Sequence, residues 1–258
     1  MNAPSSASVP GLAVEVRNLR KRYGTQEVLR GISFAVAPGE VLVIMGPSGS
    51  GKSVLLRHII GLEQPDEGEI RLNGQSVQGS DVLDRYRLAM VFQSAALLNS
   101  LTVAENVGLY LAEHRLRPPE EIRRIVSEKL ALVGLEGTED KLPGQLSGGM
   151  RKRVAIARAL VMEPQLILYD EPTSELDPLS AQVIAEEILS LRDRIGVTSI
   201  VVTHDSALAF QVADRIGFLH DGRLVALEKP DQLRAHPDPL LQRFLQARAH
   251  RQPQEVAP

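Results

Sequence analysis

The chain has 258 residues, and its 29 Lys and Arg against 32 Asp and Glu leave a formal net charge of −3. With 43% hydrophobic and 24% charged residues, it has the composition of a soluble globular protein of one large or two modest domains, which argues against wholesale disorder, collagen-like repeats and coiled-coil rods. The sequence contains no cysteine, which excludes disulfides, cysteine–zinc sites and thiol catalysis.

Short strand-like runs separated by turn residues dominate the first third of the sequence. These runs are Val14–Arg17, Ile32–Val36, Val41–Met45, Ile70–Leu72 and Ala89–Phe92. One helix, Lys52–Ile60, is predicted among them. Between residues 95 and 162 the strand pattern disappears, and the helix-like segments are Glu120–Val133 and Gly148–Met162.

Strands and helices alternate again in the last third. The predicted elements are strand Leu166–Tyr169, helix Pro178–Ile195 and strands Ser199–Val202, Ile216–Leu219 and Leu224–Leu227. This alternation predicts an α/β fold with a mainly parallel sheet, preceded by an antiparallel β portion and interrupted by a helical insertion. We expect a flexible arm at 1–11, a core at 12–94 and 163–229, a helical subdomain at 95–162 and a helical tail at 230–258.

A phosphate-binding loop follows the strand Val41–Met45. The pattern G-x-x-x-x-G-K-[ST] is matched at every fixed position by Gly46-Pro47-Ser48-Gly49-Ser50-Gly51-Lys52-Ser53. Glycines let the backbone N–H groups of such a loop point at phosphate oxygens, and the helix N-terminus adds positive potential. In this pattern the lysine reaches the β- and γ-phosphates and the serine hydroxyl binds Mg²⁺. The sequence therefore predicts a nucleoside triphosphate site of the P-loop type.

Two acids end the apolar strand Leu166–Tyr169. Asp170 and Glu171 come directly after it, and the carboxyl ends of parallel strands face the ligand crevice in open α/β sheets. Asp170 is the expected partner of Mg²⁺, and Glu171 is placed to orient the attacking water. A nucleotide hydrolase is the resulting prediction.

A third motif, Leu146-Ser147-Gly148-Gly149-Met150, precedes the helix-like segment Gly148–Met162. Ser147 is a candidate N-cap, and the glycines let an anion approach the free N–H groups. Together the three motifs closely resemble the ATP-binding subunits of ABC transporters, over residues 14–227. The resemblance implies the ABC ATPase fold, ATP and Mg²⁺ as ligands, and a dimer of two copies facing head to tail. In that arrangement Ser147, Gly148 and Gly149 of one copy would meet the γ-phosphate held by the other.

The resemblance extends to further single positions. It implies that Tyr23 stacks on adenine, that Gln93 touches Mg²⁺ and the attacking water, and that His204 contacts the γ-phosphate. Taken without the resemblance, Tyr23 would be a surface-turn tyrosine and His204 a structural histidine. The segment ending at Asp177 looks like the loop that signals across the dimer, although Glu175 stands where a small residue is commoner.

Several local features are similar to the Mla-type ATPases (maintenance of lipid asymmetry), which serve MCE-protein phospholipid transport systems. Met150 replaces the glutamine usual at the fifth signature position, and Tyr169 precedes the acidic pair. The segments 53–62 and 92–107 are also similar. This resemblance implies an MlaE-like permease bound near Gln93 and the helical insertion, an MCE-domain protein and, in some systems, a STAS-domain protein.

The first ten residues carry no secretory-signal pattern, and no apolar stretch approaches the roughly 20 residues of a membrane span. We therefore expect a soluble subunit held at the cytoplasmic face of the inner membrane by its permease, without a nucleic-acid partner. Two alternatives stay open. One is an ABC ATPase for amino acids, metal ions or lipoproteins. The other is a soluble ABC ATPase acting on DNA or ribosomes, although the chain has one copy of each motif and no sustained heptads.

Two segments have two interpretations each. The run Arg151-Lys152-Arg153 is expected to form a solvated helix face, or else to support nucleotide contacts in the facing copy. The segment Asp238–Leu245 has apolar residues at helical spacing, and it docks either on its own core or on the other ATPase copy.

Overall fold

The computed structural model describes residues 11–78 and 82–249. The strands in this part are β1 (Val14–Tyr23), β2 (Gln26–Val36), β3 (Val41–Met45), β4 (Glu67–Leu72), β5 (Gln75–Ser76), β6 (Leu88–Val91), β7 (Leu166–Asp170), β8 (Thr198–Thr203), β9 (Arg215–His220) and β10 (Arg223–Glu228). The helices are α1 (Lys52–Ile59), α2 (Val82–Arg85), α3 (Val103–Glu113), α4 (Pro119–Leu132), α5 (Gly148–Leu160), α6 (Pro178–Ile195), α7 (Ser206–Val212), α8 (Pro230–Arg234) and α9 (Pro239–Ala249).

The central sheet has the strand order β10-β9-β3-β8-β7-β6, and every neighbouring pair except β10 with β9 is parallel. All residues of β3, β7 and β8 are buried, as expected for strands covered on both faces. Since Met45 pairs with Thr203 and Asp170 with Val202, the carboxyl ends of these three strands lie side by side. The predicted α/β fold with a mainly parallel sheet is confirmed.

A second, antiparallel sheet has the order β2-β1-β4-β5, which confirms the predicted antiparallel β portion. The helix α1 fills the apolar layer shared with the central sheet, because its Leu55, Leu56 and Ile59 are fully buried in one cluster with residues from both sheets. This packing fixes the N-terminal end of α1 beside the carboxyl edge of the central sheet.

The helix α3 lies in a segment where the sequence pattern predicted none. Its start is stabilised by a capping box, in which Thr102 accepts from the backbone of Glu105 and the Glu105 side chain accepts from the backbone of Thr102. The fully buried Asn106 donates to the carbonyls of Leu98, Leu101 and Thr102 and so holds the preceding turn. The capping-box spacing was the available signal for this helix.

Of the predicted flexible arm at 1–11, the structure describes only the last residue, Gly11. A Cβ on Gly11 would lie 2.5 Å from the amide nitrogen of Gly39 and 2.7 Å from the carbonyl of Gly196, so the backbone is closely packed there. Leu12, which follows, is fully buried. The other ten residues of the arm, and residues 250–258 of the predicted tail, lie outside the described residues. Within residues 11–78 and 82–249, no helix is long and apolar enough to cross a membrane.

The helix α9 packs on its own chain. Leu241 is fully buried in the larger hydrophobic cluster, and the ring of Phe244 lies 5.2 Å from that of Phe218 on β9. Of the two interpretations of this segment, the structure shows docking on its own core for residues 239–245.

Leu241→Ala is expected to lower the free energy of unfolding by about 2 kcal/mol, the lower end of the range for Leu→Ala in cores. We expect the lower end because a terminal helix can detach locally without global unfolding, which limits the loss of stability. Urea denaturation measures it, with Arg243→Ala, at an exposed position of the same helix, as the matched control. Equal stability of the two variants would contradict the packing seen for Leu241.

Candidate functional site

The phosphate-loop residues connect β3 to α1 at the carboxyl edge of the central sheet. Gly46 donates its N–H to the carbonyl of Thr203 at 3.3 Å, and a Cβ there would lie 2.1 Å from the carbonyl of Leu219. Gly51 has φ 104°, a backbone conformation that favours glycine, and α1 begins at the next residue. Both glycines are therefore required by the path of the loop.

Lys52 is the central cation of this loop. Its side chain is 6% exposed, and its Nζ donates to the carbonyls of Gly46 at 2.9 Å and Pro47 at 3.1 Å. The same nitrogen lies 3.4 Å from Oε1 of Glu171, whose side chain is 11% exposed. The predicted phosphate ligand and the predicted water-orienting acid thus form a buried ion pair.

Ser53 and Asp170 join α1 to the end of β7. The Ser53 hydroxyl donates to Oδ1 of Asp170 at 2.8 Å. Burial raises the pKa of Asp170, and the hydrogen bond from Ser53 acts in the opposite direction. Hydroxyl and carboxylate oxygens are ligands that Mg²⁺ prefers, and the hydroxyl of Ser50 in the same loop is buried without a hydrogen-bond partner. The residues present therefore fit Mg²⁺ and a phosphate group.

Glu171 is held from three directions. Its Oε2 accepts from the Thr203 hydroxyl at 3.2 Å and from the His204 amide at 3.1 Å, and it lies 2.8 Å from His204 Nδ1. Its backbone has φ 47°, an uncommon conformation for a residue with a side chain, and its N–H donates to Val202 at 2.9 Å. Sequence reasoning missed Thr203, for which a hydroxyl at the end of β8 gives only a weak signal.

The signature residues and Asp177 lie together. Ser147 accepts from the amide of Met150 at 3.2 Å and caps α5, while Asp177 accepts from the amide of Ser180 at 3.0 Å and caps α6. Hydrogen bonds from Ser180 lower the pKa of Asp177. The two helix starts are in contact, because a Cβ on Gly149 would lie 3.0 Å from the Ser180 hydroxyl. Among residues 11–78 and 82–249, no hydrogen bond joins the signature residues to the phosphate loop.

Gln93 and Tyr23 lie on the surface. Gln93 is exposed two residues beyond the end of β6. Tyr23 ends β1 with 43% of its surface exposed, and its hydroxyl donates to Glu63. Glu63 also pairs with Arg57 of α1 at 2.7 Å, which ties the Tyr23 turn to the phosphate-loop helix.

The sequence predicted that Arg151, Lys152 and Arg153 form a solvated face of α5, and this prediction is wrong for Lys152. Arg151 is exposed, but Lys152 is only 6% exposed and lies in the buried stripe that also contains Gly149 and Ile156. The spacing of three and four residues from these neighbours was the available signal. The structure thus places a lysine in the site that the motifs did not identify.

Comparisons with known proteins agree with this site. The family model described as ABC transporter matches residues 29–174, more than half of the chain. The Mycobacterium tuberculosis protein named "Probable ribonucleotide transport ATP-binding protein mkl" is 39% identical over 242 residues, which cover 92% of this chain and 67% of that one. The Arabidopsis thaliana protein named "TRIGALACTOSYLDIACYLGLYCEROL 3, chloroplastic" is 38% identical over 250 residues, 90% of this chain and 72% of that one.

Two further similar proteins are a relative named for a different cargo and a relative with a solved structure. A Methylococcus capsulatus protein named for sulfate/thiosulfate import is 42% identical over 229 residues, 88% of this chain and 66% of its own length. A dimeric ATP-binding cassette in a post-hydrolysis state, bound to ADP and Pi, is 37% identical with a TM-score of 0.76, over 84% of this chain and 98% of that one. The family match and the extent of these alignments show that the chain belongs to the ABC transporter family, as an ATP-binding subunit.

Proposed function

We propose that the chain binds ATP with Mg²⁺ and hydrolyses it to drive a membrane transporter. The observation that carries this proposal is the convergence of Lys52, Ser53, Asp170, Glu171 and His204 at one edge of the central sheet. The five residues come from the carboxyl ends of β7 and β8 and from the start of α1. They supply a phosphate cation, oxygen ligands and a water-orienting carboxylate in one buried place.

The roles follow from the contacts. The loop amides from Gly46 to Ser53 and the N-terminus of α1 would hold the phosphates, with Lys52 at the β- and γ-phosphates. Ser53 and Asp170 would hold Mg²⁺, with Gln93 as a further ligand, and the ion would neutralise charge on the phosphate oxygens. His204, which contacts Glu171, would also contact the γ-phosphate. Catalysis in such a site is mostly positioning and electrostatic stabilisation.

The ion pair between Lys52 and Glu171 gives nucleotide binding a direct effect on the catalytic acid. Lys52 Nζ lies 3.4 Å from Oε1 of Glu171. A triphosphate carries more negative charge than this carboxylate and competes for the lysine. Oε1 then becomes available to water, while Oε2 stays fixed by Thr203 and His204.

The second half of the site comes, in this proposal, from a second copy. Ser147, Gly148 and Gly149 present the start of α5 beside Asp177 at the start of α6, and a helix start attracts an anion. The relative solved as a dimer bound to ADP and Pi supports a dimer of two copies, which we propose to be head to tail. Tyr23, exposed at a turn tied to α1, would stack on the adenine of its own copy. Closure of the dimer on ATP would change the state of the permease.

We propose phospholipid as the cargo. The Mla-type features at Met150, Tyr169 and the segments 53–62 and 92–107 support it, and an Arabidopsis relative named for trigalactosyldiacylglycerol, a galactolipid, supports a lipid cargo in general. The partners would be an MlaE-like permease, an MCE-domain protein and, in some systems, a STAS-domain protein, at the cytoplasmic face of the inner membrane. The names of other relatives, for ribonucleotide and sulfate/thiosulfate transport, favour a different cargo as the second candidate.

A groove between α3 and α4 supports the permease contact. Its volume is about 760 Å³, and its floor contains Gly108, Leu109 and Ala112 from α3 facing Ile122 from α4. This groove lies in the segment 95–162, which we propose as a subdomain inserted in the core 12–94 and 163–229. Its apolar floor fits the apolar face of a short helix in a cytoplasmic loop of the permease.

Purification from native membranes in mild detergent, followed by mass spectrometry, tests both the cargo and the groove. We expect an MlaE-like permease together with an MCE-domain protein. Ala112→Arg, which adds bulk and charge at an exposed position of the groove, is expected to reduce the recovered permease about tenfold.

Ala131→Arg, an exposed alanine of α4 outside the groove, is the matched control and should recover the permease fully. Full recovery with Ala112→Arg would reject the groove as the docking site. Recovery of a different permease would reject phospholipid and keep ATP hydrolysis, whereas ribosomes or DNA-repair proteins without any permease would reject the transporter role.

A further inference from the structure

Lys152 of α5 is a buried cation that contacts three residues in two loops of the candidate site. Its Nζ donates to the carbonyl of Gln93, to the carbonyl of Glu171 at 3.4 Å and to the hydroxyl of Ser174 at 3.2 Å. Gln93 lies in the loop after β6, and the other two residues lie in the loop after β7. One side chain therefore joins the signature helix to Gln93 and to the backbone of the water-orienting acid.

Burial of this lysine is unfavourable by itself. Desolvation lowers the pKa of Lys152, while the nearby carboxylates of Glu175, Asp170 and Glu171 act in the opposite direction. An apolar side chain of similar length would fill the same volume without the cost of desolvating a charge. Packing alone therefore does not explain a lysine at this position. The three oxygen atoms that accept its hydrogen bonds do explain it.

The contacted segments have backbones that need support. Glu171 has φ 47°, and Ala95, two residues after Gln93, has φ 61°. Such conformations cost of order 1–3 kcal/mol each and persist only where the surroundings hold them. The N–H of Glu171 donates to Val202 of β8, and its carbonyl accepts from the amide of Ser174 at 3.1 Å and from Lys152 at 3.4 Å. Loss of the lysine removes one of these three restraints on the backbone that carries the carboxylate, and also the lysine's own bond to Ser174.

We propose that Lys152 is a positioning residue for ATP hydrolysis, which makes the placement of Glu171 and Gln93 depend on the position of α5. The inference rests on the proposed hydrolysis and deepens it. Because α5 begins with the signature residues Ser147 and Gly149, contact of these residues with a nucleotide is transmitted through Lys152 to the acid that orients the water. In the proposed dimer, this side chain therefore links the signature residues at one nucleotide to the catalytic acid at the other nucleotide.

The test is steady-state ATP hydrolysis by the full chain in its membrane complex. Lys152→Met keeps the length of the side chain and removes every donor, and we expect kcat to fall about tenfold with the KM for ATP changed less than about twofold. Lys152→Arg retains a buried cation with several donors and is expected to recover most of the loss. Ser174→Ala removes one acceptor and is expected to lower kcat by about two- to threefold.

Arg153→Met is the matched control on the same helix. Its guanidinium donates to the carbonyls of Val133 and Gly134, on the side of α4, and it contacts no residue of the site in the part of the chain described. A purely structural role for Lys152 predicts that Lys152→Met and Arg153→Met lose similar thermal stability and keep the same kcat, which would overturn the inference. Should Lys152→Met fail to fold, a wild-type kcat in Ser174→Ala overturns it equally.

ATP hydrolysis by the wild-type complex distinguishes a failure of this inference from a failure of the proposed function. Hydrolysis by the wild type, with kcat of Lys152→Met equal to that of Arg153→Met, removes Lys152 from the mechanism and leaves the proposed function intact. No hydrolysis by the wild type rejects the proposed function and this inference together.

Discussion

Glu171→Gln is expected to bind ATP at least as tightly as the wild type and to lose turnover, with kcat lowered by about 10²–10⁴-fold. The amide keeps the size of the side chain and its contacts with Thr203 and His204, but it lacks the charge that orients and polarises water. It also removes the negative partner of Lys52, so phosphate meets less competition. ATP then accumulates in the closed state, and a stable dimer should appear by light scattering when ATP is added.

Glu186→Gln serves as its control, since this carboxylate is exposed on α6. It should hydrolyse ATP like the wild type and form no lasting dimer. Hydrolysis by Glu171→Gln within a few-fold of that control would exclude Glu171 from the catalytic role.

Lys52→Ala is expected to weaken ATP binding by roughly 10- to 100-fold, the size of one lost hydrogen bond to a charged group. The side chain is almost fully buried, and the shorter residue leaves the phosphates and Glu171 without their shared cation. Titration with a fluorescent ATP analogue measures the dissociation constant. The effect should be much smaller for a nucleoside without phosphates, because the lysine lies at the phosphate loop and its bonds are to Gly46 and Pro47.

The comparison for this variant is Lys141→Ala, an exposed lysine before the signature. Its affinity for ATP should equal that of the wild type. Unchanged affinity in Lys52→Ala would remove the phosphate-loop assignment and with it the basis of the proposed hydrolysis.

The phosphate loop and the strand-end acids could be read from the sequence because each is a contiguous motif attached to one element. Gly46–Ser53 follows a fully apolar strand and opens a helix, and Asp170 and Glu171 end another such strand. Parallel strands bring their carboxyl ends to one edge of the sheet, so the motifs were expected to meet. The hydrogen bond from Ser53 to Asp170 at 2.8 Å is the result.

Other features depended on contacts between segments distant in the chain. The packing of Gly11 against Gly39 and Gly196 has no local signature in the sequence, and neither does the docking of Leu241 in the core. The short helix α3 was missed because its apolar residues do not stand out from a segment without strands, although its capping box is present in the sequence.

The sequence by itself determined the family resemblance, the α/β class and the residues that we propose to meet the phosphates, because short motifs fix backbone shape and chemistry locally. Only the tertiary structure decided which charges are buried and what they touch. Lys152 was expected in solvent among Arg151 and Arg153, yet it lies between two loops whose distances from it depend on how α5 packs against β6 and β7. The environment of a side chain is set by the assembled elements, and its identity alone cannot fix it.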